Sequence, residues 1–515
     1  MTPSRYNVDR IPFTLRNIPL RSLFALLRHP LSLAFGLGLV SVAGYAPFYL
    51  YPASIAALAG LFYLWRQCGS PRQAARLGLA FGLGLYGGGI YWIYISLHEF
   101  GGMPVWMAVF ATFCLCAFMA LFPMLVGWLA RRWCSNRAGT LFMVAAAVLW
   151  ALSDWVRSWI FTGFPWLALG YSQVPFSPLA GFAPVFGIYG VSLLTALAAG
   201  LIALWQERVL RRRIVLGLAL LWIAGSLLKL VEWSRPEGEP VSVALVQGNI
   251  SQHIKWRPEQ IEDTLARYFD LTLAQDARLV ILPEIAFPLT LDRIADSYLG
   301  QLEAHAERNN GDLLFGAVEL QDGQYYNSMF SLGSAEPQVY RKSHLVPFGE
   351  FIPLKSVFGW IYRDWLNIPL TDISRGSIHQ KPMHIAGQRV AVNICYEDVF
   401  GEEIIRQLPE ASLLVNASND AWYGESIAAD QHLQMSQARA LETGRMMLRA
   451  TNTGATAIID THGYVLAHAP HFETTVLQGE AQGYSGATPY VRWGNWPFVG
   501  LSFGLLALLW VRKKK

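Results

Sequence analysis

Charge is scarce in this sequence. Of 515 residues, 15% are Asp, Glu, Lys or Arg and 53% are hydrophobic, whereas soluble domains run nearer about a quarter charged. That shortage excludes an ordinary all-soluble chain and calls for membrane spans. Cysteine is scarce too, with five residues at positions 68, 114, 116, 134 and 395. The first four fall in or beside apolar stretches, and Cys114-x-Cys116 lacks metal-ligand spacing, so neither a disulfide framework nor a metal centre is implied. No glycine-rich phosphate loop, internal repeat or low-complexity segment occurs. The net charge of +4 leaves no basic footprint for nucleic acid, since the placement of Lys and Arg has another explanation. Arg5, Arg10, Arg16, Arg21 and Arg28 precede the first apolar run, but no small-residue cleavage site follows, so a signal peptide is not indicated.

What is present is a set of long apolar runs. A helix crosses a bilayer with ~20 apolar residues, and eight candidate spans are expected: Leu31–Gly44, Pro47–Trp65, Leu77–Leu97, Val105–Ala130, Leu141–Arg157, Val185–Trp205, Ile214–Leu230 and Pro497–Val511. The first two, split only by Tyr45-Ala46, also read as one broken unit. Small residues in "GLYGGG" (Gly84–Gly89) let neighbouring helices approach closely. Short loops rich in Lys and Arg stay cytoplasmic. Arg66, Arg72 and Arg76, then Arg131, Arg132 and Arg137, then Arg208 and Arg211 to Arg213, occupy alternate loops, and the chain closes Arg512-Lys513-Lys514-Lys515. Both termini are therefore expected inside the cell, and the polar region between the seventh and eighth spans outside the cytoplasm, in the periplasm of a bacterium with an inner membrane. The expected divisions are a membrane domain over 1–234, a catalytic domain over 235–490, and a final span with a basic tail over 491–515.

In that polar region "VSVALVQ" (Val241–Gln247), "LVILP" (Leu279–Pro283), "DLLFGAV" (Asp312–Val318), "YYNSMFSL" (Tyr325–Leu332), "RVAVNI" (Arg389–Ile394), "SLLVNAS" (Ser412–Ser418) and "TAIID" (Thr456–Asp460) read as strands. Between them lie helical stretches such as "PEQIEDTLARYFDLTLAQ", and the alternation predicts an α/β fold with helices outside the sheet. Open α/β sheets gather ligand groups at strand ends, and three reactive residues fall there: Glu284 after "LVILP", Lys342 after "QVYR" and Cys395 after "RVAVNI". Singly, each also reads as an ordinary residue: a solvated or capping carboxylate, a surface lysine, a small core thiol. Together they divide one task. A thiol attacks as thiolate, a carboxylate accepts its proton, and a fixed ammonium stabilises the oxyanion at an attacked carbonyl. Glu, Lys and Cys are thus base, oxyanion partner and nucleophile for acyl transfer.

The surrounding segments, "LPEIAFP", "YRKSHLVPFGEFIP" and "NICYEDVF", stand in the order of the Glu-Lys-Cys triad of the nitrilase superfamily, which this chain resembles. With the spans, "VQGNISQHIKW", "GFPWLALGYSQ" and "SNDAWYG", it looks like that superfamily's membrane-embedded branch, the apolipoprotein N-acyltransferase family. The resemblance implies a four-layer αββα sandwich on a polytopic helical bundle. It implies transfer of an acyl chain from a phospholipid, typically phosphatidylethanolamine, to the amine of a diacylglyceryl-cysteine on an apolipoprotein. By the same resemblance Glu350 helps hold the site, Trp256, Tyr396 and Glu397 match positions the family needs, and no cofactor or metal is called for. A monomer suffices.

A thioester must be shielded from water if an amine is to resolve it, and "FGWIYRDWLNIPL" (Phe358–Leu370) is the expected apolar lid. Core packing or a bilayer-surface anchor is its other reading. Asn416, Asn419 and Asp420 read as turn formers, and His344 and His432 as hydrogen-bonded structural groups. Arg439, Arg445 and Arg449 are expected on one helix, pairing with carboxylates or meeting lipid phosphate, and Asp154 and Arg157 with each other near a membrane boundary. Two rivals remain. A membrane-anchored amidase or nitrilase-type hydrolase would use the same triad with water, and a transporter would carry the polar region as a sensor. Eight spans exceed the needs of an anchor, and transporters place polar groups at mid-membrane, where these spans have few.

Overall fold

A computed structural model describes residues 29–134, 139–352, 356 and 372–514. The expected lid and the N-terminal arginines lie outside those residues. Helices form at every apolar run: α1 (Pro30–Val42), α2 (Tyr51–Gln67), α3 (Pro71–Gly89), α4 (Val105–Trp133), α5 (Gly139–Arg157), α6 (Ala183–Ala203) and α7 (Arg211–Leu228). Three stretches are long and apolar enough to cross a membrane: α4, α5, and Pro178–Ala203, which contains α6. A fourth is met only if α3 and Ile93–Phe100, bent by 58°, form one span. Eight spans are therefore not confirmed. The thirteen residues of α1 rise about 20 Å, short of the ~30 Å hydrocarbon layer, and α7 begins with three arginines.

The helices pack as membrane helices do. α4 turns Trp106, Phe110, Phe113 and Leu125 outward and buries Ala108, Ala120, Gly127 and Ala130. Small residues inside let backbones meet: a Cβ on Gly84 would strike the Phe35 carbonyl of α1, and one on Gly78 the Pro123 carbonyl of α4. The expected span Leu77–Leu97 breaks after Gly89. The Gly89 carbonyl freed there accepts from the Trp92 indole at 3.2 Å and from Gln431 Nε2 at 3.1 Å, so the break is tied to the other half of the molecule.

That half holds two large sheets, besides a two-stranded pairing of Arg235–Pro236 with Tyr484–Ser485. One has seven strands, with β1 (Val241–Gln247) between β13 (Thr475–Ala481) and β2 (Leu279–Ile281), followed by β4 (Asp312–Gln321), β5 (Gln324–Gly333) and β6 (Val339–Arg341), while β3 (Phe287–Thr290) pairs with β4. The other runs β12 (Val465–His468), β11 (Ala457–Ile459), β10 (Met447–Thr451), β9 (Leu413–Ser418), β8 (Gln388–Ile394) and β7 (Met383–Ile385). β1, β2 and β4 are parallel (Val243↔Leu279, Leu279↔Asp312), as are β8, β9 and β10 (Val392↔Val415, Val415↔Leu448). Alternation does the sorting. Val243, Leu245 and Ile281 meet Val390, Val392 and Val415 between the sheets, while Ala244, Val246 and Val280 pack on Tyr268 and Leu302 of helices α8 (Pro258–Leu273) and α9 (Asp296–Arg308). On the far side Ala391, Leu414 and Met447 pack on Leu433 and Ala440 of α10 (Ala428–Thr443). The order is helix, sheet, sheet, helix.

α10 is the joint between the halves. Every one of its residues but Asp430 is buried, because its second face, with Met435, Ala438 and Leu441, belongs to the apolar cluster of the helical half. Gly444, at φ +64, ends this helix in a left-handed turn. Of the three arginines expected on one helix, only Arg439 is on it; Arg445 lies in the turn and Arg449 in β10. The last helix, α11 (Trp496–Lys514), returns to the bundle, where Phe498 is fully buried near Tyr189.

Candidate active site

The parallel strands of both sheets end at one edge, and there the three predicted residues meet. Glu284 follows β2 by three positions, Lys342 directly follows β6, and Cys395 directly follows β8. Two backbones leave common territory to aim them: Cys395 sits at φ +52, and Ile285, a β-branched residue, at φ +46. Such conformations cost of order 1–3 kcal/mol each and persist where the surroundings impose them.

Lys342, 1% exposed, is held between two carboxylates, with Nζ 3.0 Å from Glu284 Oε1 and 3.0 Å from Glu350 Oε1. Asn327 Nδ2 donates to the same two oxygens at 2.8 and 3.0 Å, and Glu350 Oε2 accepts from the Val346 N–H at 2.9 Å. The second oxygen of Glu284 accepts from the Asn419 N–H at 3.1 Å. Burial pushes the Glu284 carboxyl up, but Lys342, Asn327 and Lys255 outweigh it and hold the group below its ordinary value. Burial likewise opposes charge on Lys342, yet Glu284 and Glu350 carry its ammonium well above the usual lysine range. Burial first, then the Glu284 charge, push the Cys395 thiol up against the pull of Lys342. The resting site is a neutral thiol beside an ionised carboxylate and a fixed ammonium, so a proton must move as the sulfur attacks.

Glu397 locks the Cys395 turn to the Lys342 loop. Its Oε2 accepts from the Ile394 N–H at 2.7 Å and the Tyr340 hydroxyl at 3.0 Å; its Oε1 accepts from the Ser343 N–H and hydroxyl and the His344 N–H at 2.7, 2.8 and 3.0 Å. Tyr396 donates to the Gly163 carbonyl at 3.0 Å, binding the same turn to a loop of the helical half. Trp256 lies in the turn before α8, half-buried, and its indole N–H has no hydrogen-bond partner among the described residues; the structure does not bring it into polar contact with the triad.

Several contributors were missed. Asn327, in the middle of β5, and Lys255, whose ammonium meets the Glu284 carbonyl oxygen at 3.3 Å, were not foreseen as site residues. An asparagine inside the apolar run "YYNSMFSL" was a readable signal, since a buried amide needs partners. Asn416, expected in a turn, is in β9 and donates to the Cys395 carbonyl at 3.1 Å. Asp420 joins a buried knot beneath the turn. His432 lies between Asp398 (2.7 Å) and Asp420 (2.9 Å), Arg449 reaches Asp398 and Asp420 at 3.1 and 2.8 Å, and Ser436 donates to Asp398. Arg439 pairs with Glu442 at 2.9 Å, whereas Arg445 donates to main-chain carbonyls, among them Ala411 at 2.7 Å. His344 contacts Glu403 at 3.1 Å and stacks on Phe400.

Comparison with known proteins identifies the family. Residues 37–201 match the apolipoprotein N-acyltransferase N-terminal domain, and residues 242–490 match the carbon-nitrogen hydrolase family. The apolipoprotein N-acyltransferase of Nitrosomonas europaea is 55% identical over 478 residues, 92% of this chain and 95% of that one. That of Chromobacterium violaceum is 46% identical over 495 residues, 95% of this chain and 94% of the other. Among solved structures, XC1258 of Xanthomonas campestris, a CN-hydrolase superfamily protein, aligns with 16% identity and a TM-score of 0.35, covering 47% of this chain and 91% of that one. This chain belongs to the apolipoprotein N-acyltransferase family, and it is an acyltransferase built from a carbon–nitrogen hydrolase fold and a helical membrane part.

Proposed function

We propose that the chain moves a fatty acyl group from a phospholipid, phosphatidylethanolamine being the expected donor, to the N-terminal amine of a diacylglyceryl-cysteine on an apolipoprotein, through a thioester on Cys395. As Sγ attacks the donor's ester carbonyl, Glu284 takes the thiol proton and the Lys342 ammonium faces the oxyanion; the C–O bond breaks, and the lysophospholipid leaves with the proton. The lipoprotein amine then attacks the thioester, Glu284 accepts a proton from nitrogen, and the C–S bond breaks to restore the thiol. Two half-reactions through one covalent intermediate give ping-pong kinetics. Glu350, Glu397 and Tyr396 position the three, and Trp256 belongs to the same site by resemblance.

The observation that carries this reading is the seat of the triad against the apolar bundle. Tyr396 binds Gly163, Tyr423 lies with its ring centroid 4.7 Å from that of Trp92, and Ser96 donates to the Trp422 carbonyl at 2.6 Å. A membrane substrate reaches such a site without leaving lipid. The reading includes eight spans in a bacterial inner membrane, both termini cytoplasmic, the catalytic region (235–490) periplasmic between membrane regions 1–234 and 491–515, and a working monomer. Intact-mass measurement after incubation with phospholipid tests it: an acyl adduct on Cys395, removable by hydroxylamine, is expected, and none in Cys395→Ser. Labelled phospholipid supplied with a diacylated lipopeptide should yield acylated peptide. Free fatty acid as sole product would instead mark a hydrolase, and a Cys395→Ser variant that sustains cellular function would remove catalysis altogether.

A further inference from the structure

Lys255 has no place in the mechanism above, yet it is buried in the same site. The loop between β1 and α8 turns it inward until it is 3% exposed, and its one hydrogen bond among the described residues goes to the Glu284 main-chain oxygen, 3.3 Å away. Removing an ammonium from water without pairing it to a carboxylate is costly. The neighbouring charges supply a reason. Glu284 and Glu350 lie equally close, at 3.0 Å, to a single ammonium, that of Lys342, and share the amide of Asn327. Two carboxylates, one buried and one half-buried, with one cation between them tend to hold one proton, as like charges at close range do. A protonated Glu284 accepts nothing from a thiol.

We propose that Lys255 is a positioning residue for the general base, supplying the second positive charge that leaves both Glu284 and Glu350 ionised and pinning the carbonyl of the turn that aims Glu284. This rests on the reading of Glu284 as base. The pinned carbonyl directly precedes Ile285, the residue at φ +46, so the hydrogen bond falls where the chain is least able to hold its shape unaided. Lys255 is among the groups that draw the Glu284 carboxyl down. Its own ammonium is brought down to about 8 by burial, against the pull of Glu284, so it keeps its charge through neutral pH. The other charged or titratable groups facing this cluster are Lys342, Glu350, Cys395, Asp420, Tyr423 and Arg449, from both sheets and the turns after them. On its own loop His253 is turned away onto Phe100, and Arg257 is exposed.

The test is the pH dependence of kcat/KM for acyl transfer by the full-length protein, between about pH 5 and about pH 9, whose acid limb reports the free enzyme's base. In Lys255→Met the acid limb should move up by about one pH unit or more, with transfer at about pH 6 down about tenfold and little loss near pH 8. Lys255→Arg should keep the wild-type limb. Lys255→Met combined with Glu350→Gln removes one charge of each sign, and its limb should return toward wild type even if its rate does not. Lys255→Gln provides a second neutral variant should the methionine fail to fold. A loss by the same factor at every pH, a wild-type limb in the neutral variants, or no return of the limb in the double variant would overturn the proposal. Glu284→Gln separates the two failures. If it stays active, the base assignment itself is wrong; if it is inactive while the neutral Lys255 variants keep the wild-type limb, only this inference falls.

Discussion

In the helical half, α4 puts its large apolar side chains outside and its alanines and glycines inside. In the catalytic half, α10 leaves only Asp430 partly exposed and carries His432, Arg439 and Glu442 into the interior. The bundle stays together by close backbone approach and shape, with the buried pair of Asp154 and Arg157 as its charged pin. The sandwich is filled with branched aliphatics between its sheets, but at one sheet edge it concentrates ionisable groups: Glu284, Lys342, Glu350 and Lys255 at the site, Asp398, Asp420, His432 and Arg449 beneath it. Low-dielectric surroundings make each of those charges expensive alone and strongly felt by its neighbours. Charge is tolerated at that edge where polar partners surround it, and the apolar half packs directly against it.

The sharpest way to break this division is to remove the chemistry and leave the fold. Cys395→Ala deletes a small buried group, and acyl transfer should fall by about a thousandfold or more, as for other lost nucleophiles, while the melting temperature changes little. Appreciable turnover would place the reaction elsewhere. The next largest effect should come from the bundle's own charges. Asp154 accepts from Arg157 at 2.6 Å, from the Leu169 N–H at 2.9 Å and from Ser192 at 2.9 Å, and Arg157 donates in turn to the Trp166 carbonyl at 3.0 Å. Asp154→Asn strands a buried guanidinium, which costs about 3–5 kcal/mol and should appear as a large drop in thermal stability in detergent. Because this pair fixes the loop whose Gly163 carbonyl receives Tyr396, activity per folded molecule should fall too. Lost stability with unchanged activity would show that the bundle only anchors.

A third prediction concerns the knot beneath the nucleophile. Burial and Arg449 push the His432 imidazole down, but Asp398 and Asp420 win and raise it to about 9. A histidine raised in the folded state adds stability that is complete below its unfolded value of about 6.5 and is lost as pH climbs through about 9. The melting temperature should therefore decline between those limits, and in His432→Asn that decline should flatten. A slope equal to wild type would mean the imidazole is neutral and its contacts are plain hydrogen bonds.

How much of this was legible before the structure follows from the same contrast. Strands with strong alternation, such as Val241–Gln247, and the three reactive residues at strand ends were readable because local pattern and function coincide there. Arg449 was read on one helix with Arg439 and Arg445; a left-handed Gly444 and pairing with β9 put it in the strand Met447–Thr451 instead. Where a span bends was not legible either. An apolar run sets where a helix forms, but the break at Gly89 depends on Gln431, some 340 residues away in sequence. Lys255 carried no local signal, because its role lies in the count of charges around Glu284 and that count exists only once β2, β6 and the Glu350 loop are assembled.

The smallest effect should come from one of the bonds that join the two halves at the Cys395 turn. Tyr396→Phe removes the hydroxyl that reaches the Gly163 carbonyl at 3.0 Å and leaves the ring on Phe400, with which it makes an edge contact at 5.1 Å. A buried hydrogen bond is worth about 0.5–1.5 kcal/mol net, so thermal stability should change little. Catalysis has a different sensitivity. The Cys395 turn is held from one side by the five donors on Glu397 and from the other by Tyr396, and losing the second restraint lets the sulfur swing about a backbone already at φ +52. A reduction of about three- to tenfold in kcat, with KM for the lipid donor nearly unchanged, is the expected split. A rise in KM alone would instead assign Tyr396 to lipid binding, and the boundary between the half that holds lipid and the half that reacts with it would have to be drawn on the other side of this residue.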